Sequence, residues 1–198
     1  MTLILSAVRK SYGRKLVLDG IDHEFPHGIT LLVGPSGAGK STLLRLIATA
    51  EKPNSGTITW EGAPLPGRRS ALRQTLGYAP QAVDLPDDLT AREFVLHMAA
   101  LKGLDQAQAD AQFGSIADAI GLHADINWKI STYSGGMRRR LVFAQAMLGA
   151  PRLIALDEPT AELDGDTGAR YGCGNRDDDA PCRRSQGRCP CGLARGRR

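Results

Sequence analysis

Apolar and polar positions change their spacing along this 198-residue chain in a way that separates sheet from helix. Leu3–Val8 and Leu16–Phe25 read as strands, the second partly alternating, with Lys10-Ser11-Tyr12-Gly13 as a loop between them. Ile29-Thr30-Leu31-Leu32-Val33 is an apolar run of strand length and predicts a buried strand. Thr42 to Ala48 has helical periodicity, continuing to about Ala50. Pro53-Asn54-Ser55-Gly56 predicts a turn, Thr57–Trp60 a short strand, Glu61 to Gly67 a further turn region, and Thr75–Ala79 another short strand ending at Pro80-Gln81.

The pattern then turns helical. Thr90 with Glu93 three residues later has the spacing of a capping box, and Phe94, Val95, Met98 and Leu101 supply an apolar face. Asp105 begins a second helix carrying Phe113, Ile116, Ile120 and Leu122. Gly135 to Leu148 is a third, entered from Ser131-Thr132-Tyr133-Ser134 and stopped by Pro151. No strand signal falls between Leu85 and Leu148, which predicts a mostly helical subdomain set into an α/β core. Arg152-Leu153-Ile154-Ala155-Leu156 reads as a continuous apolar strand, as in a parallel sheet buried on both faces.

Candidate chemistry sits where these elements meet. Gly34-Pro35-Ser36-Gly37-Ala38-Gly39-Lys40-Ser41 lies between a predicted strand and a predicted helix, the context of a phosphate-binding loop. Its glycines allow a tight turn in which successive N–H groups face one anion. The new helix adds its N-terminal N–H groups and dipole. Lys40 is expected on the β- and γ-phosphates and Ser41 on Mg²⁺. Asp157 and Glu158 follow a strand, at the edge where ligands of open α/β sheets bind. Asp157 is suited to a nucleotide-bound Mg²⁺ and Glu158 to polarising an attacking water. Ser134-Gly135-Gly136 opens a helix and offers a second set of N–H groups. Arg138-Arg139-Arg140 follows and reads as a solvated or interface face.

Charge divides the chain. Residues 1–164 hold 17 Lys+Arg against 17 Asp+Glu, a balance of zero, which argues against a nucleic-acid footprint. Residues 165–198 hold 8 Arg against 4 Asp, together with all four Cys, and Leu193 is their only Val, Ile, Leu, Met or Phe. This tail cannot bury enough apolar area to order itself and is expected to be disordered. Its Cys spacing lacks a CxxC pair, which argues against a zinc site. The abrupt switch has the look of a frameshifted or truncated gene. No stretch approaches the roughly 20 apolar residues of a membrane span, which predicts a cytoplasmic protein.

Taken together, these residues resemble the ATP-binding subunit of ABC transporters. Gly34 to Ser41, with Thr42 following, looks like Walker A. Tyr12 stands where the family's adenine-stacking aromatic is found, and Gln81 where its Q-loop glutamine senses Mg²⁺ and water. Tyr133-Ser134-Gly135-Gly136-Met137 is similar to the LSGGQ signature, Leu153 to Glu158 to Walker B, and Ala161-Glu162-Leu163-Asp164 to the D-loop. The order and spacing agree over most of the chain.

The resemblance implies a P-loop NTPase fold over 1–164, with a helical subdomain at about 85–148. It implies ATP and Mg²⁺ as ligands, with Gln81, Ser41 and Asp157 around the metal. Glu158 would be the catalytic base, and Ser134, Gly135 and Gly136 would serve a partner's ATP in a head-to-tail dimer of two copies or of paralogues. An integral membrane permease would hold the protein at the inner face of the membrane, and the signature run looks most like that of exporters. The family's switch histidine finds no candidate after Asp164, so hydrolysis by this chain is expected to be poor. Two rival readings are a soluble ABC ATPase of translation or repair, against which stand a single Walker A and no heptad run, and a defective or non-hydrolysing ATP-binding fragment.

Overall fold

The computed structural model describes residues 2–82 and 84–158. Two long strands, β1 (Leu3–Tyr12) and β2 (Lys15–Phe25), form an antiparallel hairpin whose turn is only Gly13-Arg14. The loop expected from Lys10 to Gly13 is therefore mostly strand. On the other side of β1 lies β3 (Ser55–Trp60), followed by the two-residue β4 (Ala63–Pro64), giving the order β2-β1-β3-β4. Leu3 faces Trp60 across this ladder, and both are buried.

Helix α1 (Lys40–Ile47) follows the glycine-rich loop, and α2 (Leu65–Thr75) runs directly into β5 (Leu76–Ala79). The periodicity missed α2. Pro66 and Gly67 at its start read as a turn, and only Leu65 and Leu72 are buried among otherwise polar residues. Strand β5 pairs in parallel with β6 (Leu153–Leu156), in the register Leu76↔Leu153 to Ala79↔Leu156. One apolar core joins the hairpin sheet to α1, α2 and the start of β5, through Leu5, Val8, Leu46, Ile58, Trp60 and Leu72.

A second core holds α3 (Ala91–Leu101), α4 (Gln106–Ala119) and α5 (Gly135–Met147) against the ends of β5 and β6. The expected capping box forms, with Thr90 and Glu93 closing it reciprocally, and at the helix that Asp105 begins the structure adds a second, between Asp105 and Gln108. Ala91, Val95 and Ala99 line the buried stripe of α3, and Ala109, Phe113 and Ala117 that of α4. These four-residue spacings put small side chains at the contact, so the helices approach closely around Phe113, whose burial is worth about 1.5–3 kcal/mol. Leu101, expected on the apolar face of α3, instead stands 77% exposed at its end.

Two further expectations fail at the parallel sheet. Ile29 to Val33 forms no strand; Ile29 is 99% exposed, Leu31 80% and Val33 76%. An extended segment becomes a strand only by pairing its backbone, and no described strand lies beside it. For the same reason β6 is not covered on both faces. Ala155 is buried, whereas Ile154 is 40% exposed.

Candidate functional site

The phosphate loop curls as the glycine pattern requires. Gly37 and Gly39 both take positive φ, 78° and 92°, and Ala38 N–H closes a turn on the Pro35 carbonyl at 3.2 Å. Gly39 is also the N-cap of α1, and a Cβ there would stand 2.9 Å from Leu18 Cδ2 and 3.2 Å from the Val17 carbonyl. Only glycine fits both the backbone angle and the space. No side chain caps α1, and its first turn holds no acidic residue. Its N-terminal N–H groups and dipole thus keep their capacity for an anion.

Lys40 folds its ammonium over the loop, donating to the carbonyls of Gly34 (2.8 Å) and Pro35 (3.0 Å). Neither partner is charged, so the cation stays available to phosphate. Ser41 and Thr42 follow on the first turn of α1, Thr42 buried. Helix α1 lies against both β2 and β6, which brings this turn to the strand that ends in the two carboxylates.

At that end the parallel register has a direct chemical result. Ala79 pairs with Leu156, so Pro80-Gln81 and Asp157-Glu158 leave the sheet side by side, and Asp157 N–H donates to the Ala79 carbonyl at 2.9 Å. Gln81 Nε2 then donates to Glu158 Oε2 at 2.7 Å. Glu158 adopts φ 51°, a left-handed angle that is strained for a residue with a side chain. Asp157 is 5% exposed, and among the described residues no cation pairs with its carboxylate. Burial, and after it the Asp157 charge, raises the pKa of the neighbouring Tyr78 hydroxyl.

The donors offered here are a hydroxyl, a carboxylate and an amide, all hard oxygen ligands. Among the described residues there is no cluster of three or more His, Cys, Asp or Glu to cage a metal. That donor set suits Mg²⁺, which takes one or two protein oxygens and completes its shell from phosphates and water.

Tyr12 closes β1 and is 42% exposed. Its hydroxyl donates to Glu51 Oε2 at 2.6 Å, and Lys10 Nζ sits 2.9 Å from the same oxygen and 5.1 Å from the ring centroid. The Tyr12 hydrogen bond is the largest influence holding the Glu51 pKa below its ordinary value, with Lys10 and Arg45 assisting against the opposing effect of burial. No hydrogen bond among the described residues joins Tyr12 to the phosphate loop.

Ser134 is the N-cap of α5, accepting from Met137 N–H at 3.2 Å, and Ser134 and Gly135 are exposed. The segment before them is strapped down. Ile130 N–H donates to the Leu89 carbonyl and Ser131 N–H to that of Asp87. Tyr133 is buried, donates to the Asp125 carbonyl at 2.7 Å, and has its pKa pushed up to about 12, chiefly by desolvation.

The arginine triplet is not a solvated face. Arg138 pairs with Asp87 at 2.5 Å, and Arg140 donates to the carbonyls of Ile120 and Gly121. Arg139 is 9% exposed and points inward. A charge run carries no signal of which member turns inside, so this residue escaped the sequence reading. The D-loop residues and the tail lie outside the described residues. A cavity of about 610 Å³ opens elsewhere, between β3 and α2 beside Leu46, Ile58 and Leu65.

A glycine-curled loop feeding an uncapped helix, with that helix resting on a strand that ends in paired carboxylates, defines a P-loop nucleotide-binding α/β domain. A family model described as "ABC transporter" matches residues 18–161. The chain belongs to this family. It is 39% identical over 158 residues to the Nod factor export ATP-binding protein I of Paraburkholderia xenovorans, covering 79% of this chain and 52% of that protein. It is 38% identical over 160 residues to the protein of the same name from Mesorhizobium japonicum, covering 80% and 47%. The chain thus spans about half the length of these curated relatives. Among solved structures, it superposes on an ATP-binding subunit of an ABC transporter with TM-score 0.74 at 24% identity, covering 86% of this chain and 71% of that one. A Pyrococcus furiosus protein described as a putative ABC transporter ATP-binding protein superposes with TM-score 0.68 at 23% identity, covering 86% and 81%. At these identities the two structures speak to the fold.

Proposed function

We propose that this chain is the ATP-binding and ATP-hydrolysing component of an ABC exporter, working through a separate membrane permease. The observation that carries the hydrolytic part is the Gln81–Glu158 hydrogen bond, at the sheet edge against which α1 is packed. In this reading the N–H groups of Gly34, Ser36, Gly37, Ala38 and Gly39 hold phosphate, Pro35, which has no N–H, fixes the course of the loop, Lys40 adds its charge, and Tyr12 stacks on the base. Ser41, Asp157 and Gln81 would hold Mg²⁺, which when bound neutralises charge developing on the phosphates. Glu158 accepts a proton from the attacking water, and Gln81 fixes the direction of its carboxylate.

Ser134, Gly135 and Gly136 are exposed or partly exposed at the N-terminus of α5, as needed for a set of donors that completes the ATP site of a second copy or a paralogue. Residues 85–148 serve as the helical subdomain that carries them. No described helix is long and apolar enough to cross a membrane, so the chain would be held at the cytoplasmic face by its permease. Export is favoured by the names of the relatives. The test is Mg-ATP titration by calorimetry together with phosphate release, for the chain and for Glu158→Gln. Binding by both is expected, with slow release by the unmodified chain, as the missing switch histidine implies, and none by Glu158→Gln. Absence of binding overturns the reading.

A further inference from the structure

Arg139 sits in the second turn of α5, close behind Ser134-Gly135-Gly136. Its guanidinium is buried, and no carboxylate among the described residues pairs with it. A buried cation without a counter-ion is costly unless its donors are satisfied. Here four carbonyls satisfy them. Nη1 donates to Pro80 O at 2.5 Å and to Gln81 O at 3.0 Å. Nη2 donates to Asp157 O and, at 2.6 Å, to Glu158 O. Each terminal nitrogen has two hydrogens, so four of the five guanidinium donors are used, one arm on each strand end.

These four carbonyls belong to the two loops that carry the residues of the hydrolytic centre. They include the carbonyl of Glu158, whose left-handed backbone needs outside support, and that of Gln81, which touches the Glu158 carboxylate. Nearly two helical turns further on, Gln145 Nε2 donates to the Tyr78 carbonyl at 2.6 Å, so α5 grips β5 at a second level.

We propose that Arg139 is a positioning residue. It fastens the helix that begins at Ser134 to both strand ends, so that the placement of this helix sets the alignment of Gln81 with Glu158. Resting on the function proposed above, this assigns to one side chain the link between the exposed glycine pair and the hydrolytic carboxylate. A residue serving only to fill the core would need neither four donors nor this choice of acceptors.

The experiment compares the full chain with Arg139→Gln and Arg139→Lys, using Arg138→Gln as a control of equal charge change. Amide hydrogen exchange is read over residues 78–82 and 153–158 and over the β1–β2 hairpin, beside Mg-ATP affinity and phosphate release. The expected result is faster exchange confined to the two strand ends in Arg139→Gln and an affinity within about threefold. Turnover should fall on the order of 10²-fold, the scale of a small misplacement at a reacting centre. Arg139→Lys recovers only part, because one ammonium cannot span four carbonyls. Arg138→Gln leaves the strand ends as they were. Unchanged exchange at the strand ends in Arg139→Gln overturns the proposal, and so does a rise spread over the whole chain with affinity lost, which marks a purely structural residue. If the unmodified chain binds no Mg-ATP, the proposed function fails, while the exchange pattern still decides the link.

Discussion

Gln81 donates its side-chain amide to the Glu158 carboxylate at 2.7 Å, across 77 residues of chain and between the ends of two parallel strands. The bond depends on the pairing of Ala79 with Leu156. A slip of one residue would turn every side chain of one strand to the opposite face and part the two groups. Gln81→Ala is expected to lower phosphate release on the order of 10²–10³-fold, as for the loss of one preorganised polar contact at a reacting centre. Mg-ATP affinity should fall far less, and the two are separated by comparing kcat with the calorimetric Kd.

Lys40 donates only to carbonyls of its own loop. Lys40→Ala is therefore expected to leave folding intact and to weaken Mg-ATP binding by roughly 1.5–3 kcal/mol, the worth of a charge-assisted hydrogen bond. Titration calorimetry reads the difference directly, and equal affinities would remove the phosphate assignment.

Tyr12 offers a partly exposed ring, while its hydroxyl is already held by Glu51. Stacking on a base uses the ring, so Tyr12→Ala should cost about 1–3 kcal/mol of nucleotide affinity and Tyr12→Phe much less. Similar losses in both variants would point to the hydroxyl and away from stacking.

Much of this arrangement was legible in the chain, because it is specified locally. Thr90 with Glu93, Asp105 as the start of α4, and the serine at the head of α5 are short-range signals, and each holds. The glycines around Lys40 announce a loop whose backbone angles only glycine takes freely. What stayed hidden depends on partners distant in sequence. Ile29, Leu31 and Val33 have a strand's composition, yet pairing decides whether a strand exists. Arg139 lies in a run of three like charges, and only the tertiary structure selects the one that meets Pro80 and Asp157. Leu101 has helical spacing but falls beyond the last contact of α3.

Gly77 has an ordinary backbone angle, yet a Cβ at this position would overlap the Ala146 carbonyl of α5. The helix can stand this close to β5 only because the side chain is missing. Gly77→Ala should destabilise the chain by about 1–3 kcal/mol through overpacking. Chemical denaturation at unchanged m-value is the measure. A neutral result would mean that α5 is free to shift, against its attachment through Arg139 and Gln145.

Glu51 gives the pH dependence a definite sign. Its pKa is held below the ordinary 4.5, first by the Tyr12 hydroxyl, so the folded state binds its proton less readily than the unfolded chain does. That stabilisation is complete above the unfolded value and is lost as pH falls below it, through the depressed folded value. Melting temperatures followed from pH 6 to pH 3 should drop more steeply for the unmodified chain than for Glu51→Gln. Parallel curves would contradict the role given to this cluster.

The three bare side chains of Ile29, Leu31 and Val33 carry a consequence for life in a crowded cell. They project at alternate positions from a backbone with no described strand beside it, just before the glycine-rich loop that leads to Lys40. A stretch of this kind is a template on which another extended chain can add itself by its own main-chain hydrogen bonds. The price of an unroofed strand is thus set by concentration. Association is therefore expected to grow with chain concentration and to be negligible in dilute solution.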